Sequence, residues 1–353
     1  MEIAVVPGLD GLILDGLTEV LPPVSYGPHS KDTDMTAAFT FPGQGSQTVG
    51  MGKALADAFP VARAVFDEVD AALGDKLTSI IWEGPAETLQ LTENAQPALM
   101  AVSLAALRVL ESEAGLSIAR DAAFVAGHSL GEYSALAAAG ALSISDTARL
   151  LRIRGRAMQK AVPVGIGAMA ALLGLDYETA VAVAAEAAQD QVCDAANDNG
   201  GGQVVVSGNK EAVDRAVEIA KSKGAKRAML LPVSAPFHCR LMQPAADVMS
   251  EALSGVTINQ PAVPVVCNVL ASAVTDPNDI RRRLIEQVTG TVRWRESIAY
   301  MAGQGVSLFL EIGAGKVLSG LVKRITEGAS GMAVGAPADI AAAKDALAAC
   351  QAN

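Results

Sequence analysis

The strongest constraint on how this chain folds is the stretch Gly127-His128-Ser129-Leu130-Gly131. It reads G-x-S-x-G. An apolar run, Ala122 to Ala126, precedes it, and an Ala-rich segment, Glu132 to Ala141, follows. The run has the length of a buried strand and the segment has helical composition. A sharp strand-to-helix turn lifts a serine hydroxyl clear of the backbone. The flanking glycines leave room for that turn and for the helix to pack closely. Such a serine can attack a carbonyl. With 33 glycines in 353 residues, chance supplies about 0.2 matches, so the strand–turn–helix setting carries the weight.

Strands and helices alternate around this turn. Strands are expected at 37–41, 124–127, 263–268 and 307–312. Helices are expected at 50–59, 61–73, 96–113, 146–161, 241–253, 279–288, 294–303 and 315–325. This alternation argues for a parallel sheet covered on both faces. The middle differs. A strand at 168–174, a helix at 176–188, strands at 192–196 and 203–207, a helix at 210–223 and a strand at 227–233 give the order β-α-β-β-α-β. That is the ferredoxin-like arrangement. Its ends, near 166 and 234, are expected side by side, so it can be inserted into a host without disturbing it.

The expected fold class is α/β. A large α/β-hydrolase-like subdomain with a parallel sheet and a nucleophile elbow takes residues 35–165 and 235–353. A small ferredoxin-like subdomain takes 166–234. Residues 1–34 read as a poorly ordered N-terminal extension, because Pro22-Pro23, Gly27-Pro28 and Asp32 to Asp34 are turn chemistry. A short strand at 3–6 is possible within it, and Met35 offers a second start. The Ala-rich stretch 336–352 reads as a final helix.

Composition bounds the function. A net charge of −11 argues against general binding to nucleic acid or anionic membranes. The cysteines Cys193, Cys239, Cys267 and Cys350 are scattered without a C-x-x-C pair. They suit free thiols in a reducing compartment and suggest no zinc site. No apolar run reaches the roughly 18 residues needed to span a bilayer. The first basic residue is Lys31, and Glu2, Asp10 and Asp15 precede it, so a secretory signal is not expected. A cytoplasmic protein without metal or cofactor is the resulting expectation.

A serine nucleophile needs a base, and the chain has three histidines. His29 lies in the extension and reads as a solvated tail residue. His128 adjoins the serine, and adjacent residues on a tight turn point apart, so it reads as structural support for the pocket. His238 follows Val233-Ser234-Ala235-Pro236-Phe237 where the inserted unit returns to its host. A lone histidine there is commonly packed or capping, but given the elbow it is the candidate general base. Asp176, Asp190, Asp194, Asp198 and Asp214 lie between serine and histidine, and all read as cap, loop or surface residues. A backbone or side-chain carbonyl is the alternative partner for the imidazole. After the first strand, Phe41-Pro42-Gly43-Gln44-Gly45-Ser46-Gln47 forms a Gly-rich loop. The N–H groups of Gln44 and Leu130 could form an oxyanion hole, where one donor is worth roughly 2.7–4 kcal/mol. No G-K-[ST] follows to suggest a phosphate loop.

The Gln44 loop, then Gly127 to Tyr133, Arg154-Gly155-Arg156-Ala157-Met158, Pro236-Phe237-His238 and Gly313-Ala314-Gly315-Lys316-Val317-Leu318 occur in that order. Together they resemble malonyl-CoA:acyl-carrier-protein transacylases from about Thr36 to Ile325. Ala314 stands where that family is expected to carry proline. The resemblance implies transfer of malonyl from malonyl-CoA to acyl carrier protein. It makes Ser129 the acylated nucleophile, His238 the base and then the acid, and Gln44 and Leu130 the oxyanion donors. Gln287 falls where the family's glutamine holds the histidine through a carbonyl oxygen. Arg154 matches the arginine that pairs with the malonyl carboxylate, and a planar guanidinium can bind a carboxylate through two parallel bonds. Arg152 and Arg156 read as solvated charges. Phe237 resembles the malonyl-selecting version of the site, crowding an α-methyl branch. The implied partners are malonyl-CoA and an acyl carrier protein, with the chain a monomer. Docking an acidic carrier requires a local basic face. Candidates are Arg281-Arg282-Arg283, Lys323-Arg324, and the group Lys221, Lys223, Lys226 and Arg227. The rivals are a serine hydrolase or thioesterase, which shares the elbow but leaves the Gln44 loop and Arg154 unexplained, and a non-catalytic carrier-binding module.

Overall fold

A computed structural model describes residues 37–351 of the chain. The extension expected at 1–34, with its strand at 3–6 and His29, lies outside the described residues. Ten strands are present among those residues: β1 Ala37–Phe41, β2 Phe124–Gly127, β3 Gly167–Leu173, β4 Cys193–Asp198, β5 Gln203–Asn209, β6 Arg227–Leu230, β7 Val265–Cys267, β8 Ser272–Val274, β9 Leu308–Ile312 and β10 Ser330–Val334. Six of them form a sheet in the order β10-β9-β1-β2-β7-β8. Every pair in it is parallel except β7–β8.

The central strands are buried along their whole length, as AAFTF in β1, FVAG in β2 and LFLEI in β9. Unbroken apolar runs are what a parallel sheet with both faces covered requires. On one face lies the helix Thr92–Ala114, buried almost throughout its first five turns. On the other, Trp294, Ile298 and Met301 pack with Phe309 and Val266. Register then sets the site. Phe41 pairs with Gly127, so β1 and β2 end level with each other. The Gln44 loop and the serine turn therefore leave the same edge of the sheet, the carboxyl end where open α/β sheets place their ligands.

The two motif glycines are demanded by close approach. A Cβ on Gly127 would lie 1.9 Å from the carbonyl of Gly131. A Cβ on Gly131 would lie 2.3 Å from the backbone oxygen of Phe41. The second contact is between the helix Gly131–Ala138 and β1, so that helix starts in direct contact with the sheet.

The second sheet is antiparallel, in the order β4-β5-β3-β6. With the helices Tyr177–Ala188 and Lys210–Ser222 it completes the β-α-β-β-α-β unit expected from the sequence. Asp176 caps the first of these helices, accepting from the Thr179 N–H at 2.7 Å. Period-2 alternation divides the sheet's faces. Ala170, Leu172, Val204 and Val206 pack under the two helices. Met169 and Val205 point the other way, into the core that also holds Phe237 and Leu130. The unit's ends meet as expected: β3 and β6 are hydrogen-bonded neighbours, and Gly167 abuts Pro236. A second tie lies across the sheet. Asn197 bridges to Val292, and Thr291 Oγ1 donates to the Ala195 carbonyl at 2.6 Å.

Some elements differ from expectation. The helices Leu77–Glu83 and Ala86–Gln90 and the strands β8 and β10 carry no periodic signal of their own, being short and half exposed. The helix expected at 146–161 begins at Ile144, because Ser143 caps it by accepting from the Asp146 N–H at 3.0 Å. Strand 263–268 contracts to Val265–Cys267. This releases Asn268 from the ladder into the site. Gly131→Ala is expected to destabilise the protein by about 3 kcal/mol or more, because backbone atoms on both sides must move. Denaturant unfolding of the variant checks this, and an unchanged midpoint refutes it.

Candidate active site

Ser129 sits at the tip of the turn with φ 54°, in the left-handed region that side chains rarely adopt. Such a residue stores roughly 1–3 kcal/mol of strain and persists only where its surroundings hold it. Asn268 supplies the clamp. Its Oδ1 accepts from the Ser129 N–H at 2.8 Å, and its Nδ2 donates to the Gly127 carbonyl at 2.7 Å. The His128 N–H ties the same turn to the Phe41 carbonyl at 3.0 Å.

His238, φ 58°, arrives on the loop after β6. Its Nε2 lies 2.7 Å from Ser129 Oγ, and its Nδ1 lies 2.9 Å from the backbone oxygen of Gln287. A carbonyl oxygen can only accept. Nδ1 therefore carries the proton, and Nε2 is left to accept from the serine hydroxyl. Burial, and secondarily the charge of Arg154, push this imidazole down to about 3. It is neutral at every physiological pH, with the Nε2 lone pair directed at the serine hydroxyl.

Arg154 projects from the helix Ile144–Ala161 and is 1% exposed. Nη1 donates to Gln96 Oε1 at 2.8 Å. Nη2 donates to Gln287 Oε1 at 2.8 Å and to Ser129 Oγ at 3.1 Å. The guanidinium also lies 5.6 Å from the centre of the Tyr133 ring. All three acceptors are neutral. Nε is buried and has no partner among the described residues. Five N–H groups thus face three hydrogen bonds, beside the serine hydroxyl and on the wall of a cavity of about 700 Å³. A carboxylate is the complementary occupant.

The remaining parts of the site flank this pair. Gln44, Leu130 and Phe237 line the same cavity. Among the described residues no carbonyl accepts from the backbone N–H of Gln44 or of Leu130. The Gln44 side chain is pinned through Thr92 and Gln96 to Arg154, with links of 2.8 Å at each step. Behind the serine, Gln287 Nε2 donates to the Ser129 carbonyl at 3.0 Å and to Glu132 Oε2 at 2.8 Å. Burial raises Glu132 to about 7.

The acyl transferase domain family matches residues 38–340. The malonyl CoA-acyl carrier protein transacylase of Escherichia coli (strain K12) is 48% identical over 306 residues, covering 87% of this chain and 98% of that protein. The chain belongs to the malonyl-CoA:acyl-carrier-protein transacylase family. Among solved structures, the acyl-carrier-protein-S-malonyltransferase from Bartonella henselae shares 57% identity at a TM-score of 0.87, covering 89% of this chain and all of that one. A malonyl-transacylase in complex with a holo type II PKS acyl-carrier protein shares 44% identity at a TM-score of 0.85, covering 88% and 99%.

Within this transacylase fold, six of the seven residues singled out by sequence (Gln44, Ser129, Leu130, Arg154, Phe237 and His238) line one cavity. The seventh, Gln287, lies behind it and reaches His238 and Arg154. The choice left open for the imidazole's partner falls to the main chain of Gln287. His128 supports the pocket wall, its Nε2 2.9 Å from Asn199 Oδ1. Arg156 is exposed and pairs with Glu93 at 2.7 Å. Arg152 departs from expectation. It is 6% exposed, pairing with Asp75 at 3.0 Å and with Asn94. Asp198 is also buried, against Arg295, and does not hydrogen-bond His238. Thr92, Gln96, Glu132 and Asn268 join the site through the fold. Asn268 had a usable signal, being a polar residue at the end of a strand beside the serine strand. Glu132 had another, as an acidic residue on an otherwise apolar helix.

The depressed basicity of His238 is checked by ¹⁵N NMR of the imidazole. The ring is expected to stay neutral with a protonated Nδ1 at pH 5, where a solvated histidine is largely charged. A midpoint above 6 contradicts the burial argument.

Proposed function

We propose that the chain transfers the malonyl group from malonyl-CoA to the phosphopantetheine thiol of an acyl carrier protein, supplying extender units for fatty-acid synthesis. The observation that carries this reading is a buried guanidinium, without a carboxylate within ion-pair distance among the described residues, 3.1 Å from the serine hydroxyl. A malonyl thioester brings a carbonyl for the serine and an anion for the arginine. An acetyl thioester brings only the first.

The reaction is a double displacement. Ser129 Oγ attacks the thioester carbonyl while its proton passes to His238 Nε2. The backbone N–H groups of Gln44 and Leu130 receive the developing oxyanion. The C–S bond breaks, and His238 returns the proton to the departing CoA thiolate. The carrier's thiol then gives its proton to His238 and attacks malonyl-Ser129, and the serine leaves with that proton. A thioester is exchanged for an ester and back, so no redox or metal chemistry is called for. Phe237 narrows the pocket beside the histidine, against an α-methyl branch. Leu231 to Ser234 line the cavity after β6, and this wall limits the access of water to the ester.

The carrier-binding face is supported by charge. Arg282 and Arg283 are occupied by Asp279 and Glu286, and Lys221 and Lys223 by Glu218 and Glu186. No carboxylate lies within ion-pair distance of Lys226, Lys323 or Arg324 among the described residues. Arg324 packs on Gly201 and Lys226 on Gly174, and Gly174 touches Gly202. Both groups thus border the loop that runs from Asn197 and Asn199, at the cavity and at His128. We assign carrier docking to this border. The buried, unpaired thiols of Cys193, Cys239 and Cys267 support a reducing, cytoplasmic setting, and the reading takes the chain as a monomer.

Two measurements test the assignment. Intact-protein mass spectrometry after mixing with malonyl-CoA is expected to show a malonyl adduct that Ser129→Ala abolishes. An adduct that survives places the nucleophile elsewhere, and rapid release of free malonate favours a hydrolase. Arg154→Ala is expected to lower kcat/KM for malonyl-CoA by about 30-fold to 5,000-fold, the equivalent of about 2–5 kcal/mol, while acetyl-CoA loses far less. Equal losses for both donors contradict the carboxylate role.

A further inference from the structure

Glu132 is fully buried directly behind the reacting groups, and the steps above do not use it. Its Oε2 accepts from the Asn268 N–H at 2.9 Å and from Gln287 Nε2 at 2.8 Å. The other end of the Gln287 amide, Oε1, accepts from Arg154 Nη2 at 2.8 Å. One amide therefore bridges a carboxylate and a guanidinium that share no direct ion pair. Its orientation is determined from both ends. Rotating it would aim its NH₂ at the guanidinium and its oxygen at the carboxylate, losing both hydrogen bonds where Gln287 and Glu132 are buried. The remaining neighbours of Nε2, the Ser129 carbonyl at 3.0 Å and Asn268 Oδ1 at 3.4 Å, are also acceptors.

We propose that Glu132 is a positioning residue for Arg154: its carboxylate turns the Gln287 amide so that Oε1 faces the guanidinium, and its charge sets how strongly that guanidinium holds the malonyl carboxylate. The second part follows from charge balance. A guanidinium facing a second, remote anion draws an incoming anion less strongly than one without it, and two carboxylates sharing one cation raise each other's proton affinity.

The groups facing Glu132 leave it as the titrating member of the site near neutrality. Burial lowers Arg154 from the high range of arginine, which still leaves a guanidinium charged near neutrality, and Tyr133, the next residue on the helix, is pushed up by burial. The Cys267 thiol from β7 is pushed well up, also by burial. His238 and His128 are both held down by burial. Gln287 and Asn268 do not titrate. The malonyl carboxylate is ionised throughout this range.

The inference rests on the malonyl-transfer reading, and the experiment separates the two. The rate of serine acylation is followed by CoA release, with malonyl-CoA and acetyl-CoA as donors, between pH 6 and 8.5. The proteins are wild type, Glu132→Met and Glu132→Gln. Failure of wild type to prefer malonyl-CoA defeats the reading itself. Given that preference, Glu132→Met keeps the volume and removes the acceptor. It is expected to narrow the malonyl-over-acetyl ratio by about 10-fold or more, the loss falling on malonyl-CoA. Glu132→Gln keeps an acceptor oxygen and removes the charge. It is expected to keep the ratio within about 3-fold of wild type at pH 6 and to abolish the decline in malonyl acylation that wild type shows between pH 6 and 8. A purely structural role would depress both donors equally. An unchanged ratio in Glu132→Met, or a Gln variant as damaged as the Met variant, overturns the proposal. If Glu132→Met does not fold, the Gln profile decides: the wild-type decline persisting in it, or absent from wild type, overturns the proposal.

Discussion

Burying a guanidinium without a carboxylate beside it is unfavourable by several kcal/mol unless its N–H groups and charge are met in other ways. The surroundings of Arg154 meet them only in part. Two glutamine oxygens and a serine hydroxyl accept its hydrogen bonds, and the Tyr133 ring lies against it. Arg152, two residues earlier and on a different face of the same helix, differs. Arg152 is also buried, yet it has Asp75 directly against it. Two arginines on one helix thus take opposite parts. One is closed off by an acid of the chain, and the other is met by neutral acceptors alone.

That opening depends on a scaffold built from backbone contacts. Parallel pairing of β1 with β2 brings the Gln44 loop and the serine turn to one edge. Contacts too close for any Cβ hold the turn against the sheet. Ser129 and His238 both adopt left-handed backbone conformations. Two strained residues that share a hydrogen bond require support from rigid neighbours. Asn268 serves the serine and the Gln287 main chain serves the histidine. The antiparallel sheet completes the wall from the far side, tied at the β4 edge through Asn197 and joined to the rest of the chain through β3 and β6.

Much of this was legible beforehand, for a physical reason. The G-x-S-x-G turn, the buried strands and the β-α-β-β-α-β insertion each follow from local chemistry: glycine where backbones touch, unbroken apolar runs, alternation of period two. Ser129, His238 and Arg154 were legible through the resemblance and through their chemistry. What remained hidden was cooperative. Glu132 and Asn268 act through partners more than a hundred residues away in the chain, and only the pairing of β2 with β7 makes them neighbours. Arg152 was misread for the same reason. Its helix pattern shows a charged stripe, but the acid that closes it off comes from a loop before the helix Leu77–Glu83. The short strands β8 and β10 exist because a sheet edge is available to them.

The imidazole of His238 is oriented by a main-chain oxygen where many serine enzymes employ an acid. Every amino acid contributes such an oxygen, so no substitution at position 287 can delete that acceptor as long as the local chain path survives. The duties at this position are therefore separable. The backbone sets the tautomer of the base, and the side chain links Arg154 to Glu132. In an acid-based triad one side chain must satisfy the histidine, and a mutation there disables the base. In this fold, a side-chain change at residue 287 removes the hydrogen bonds to Arg154 and Glu132 and leaves the acceptor for the imidazole in place.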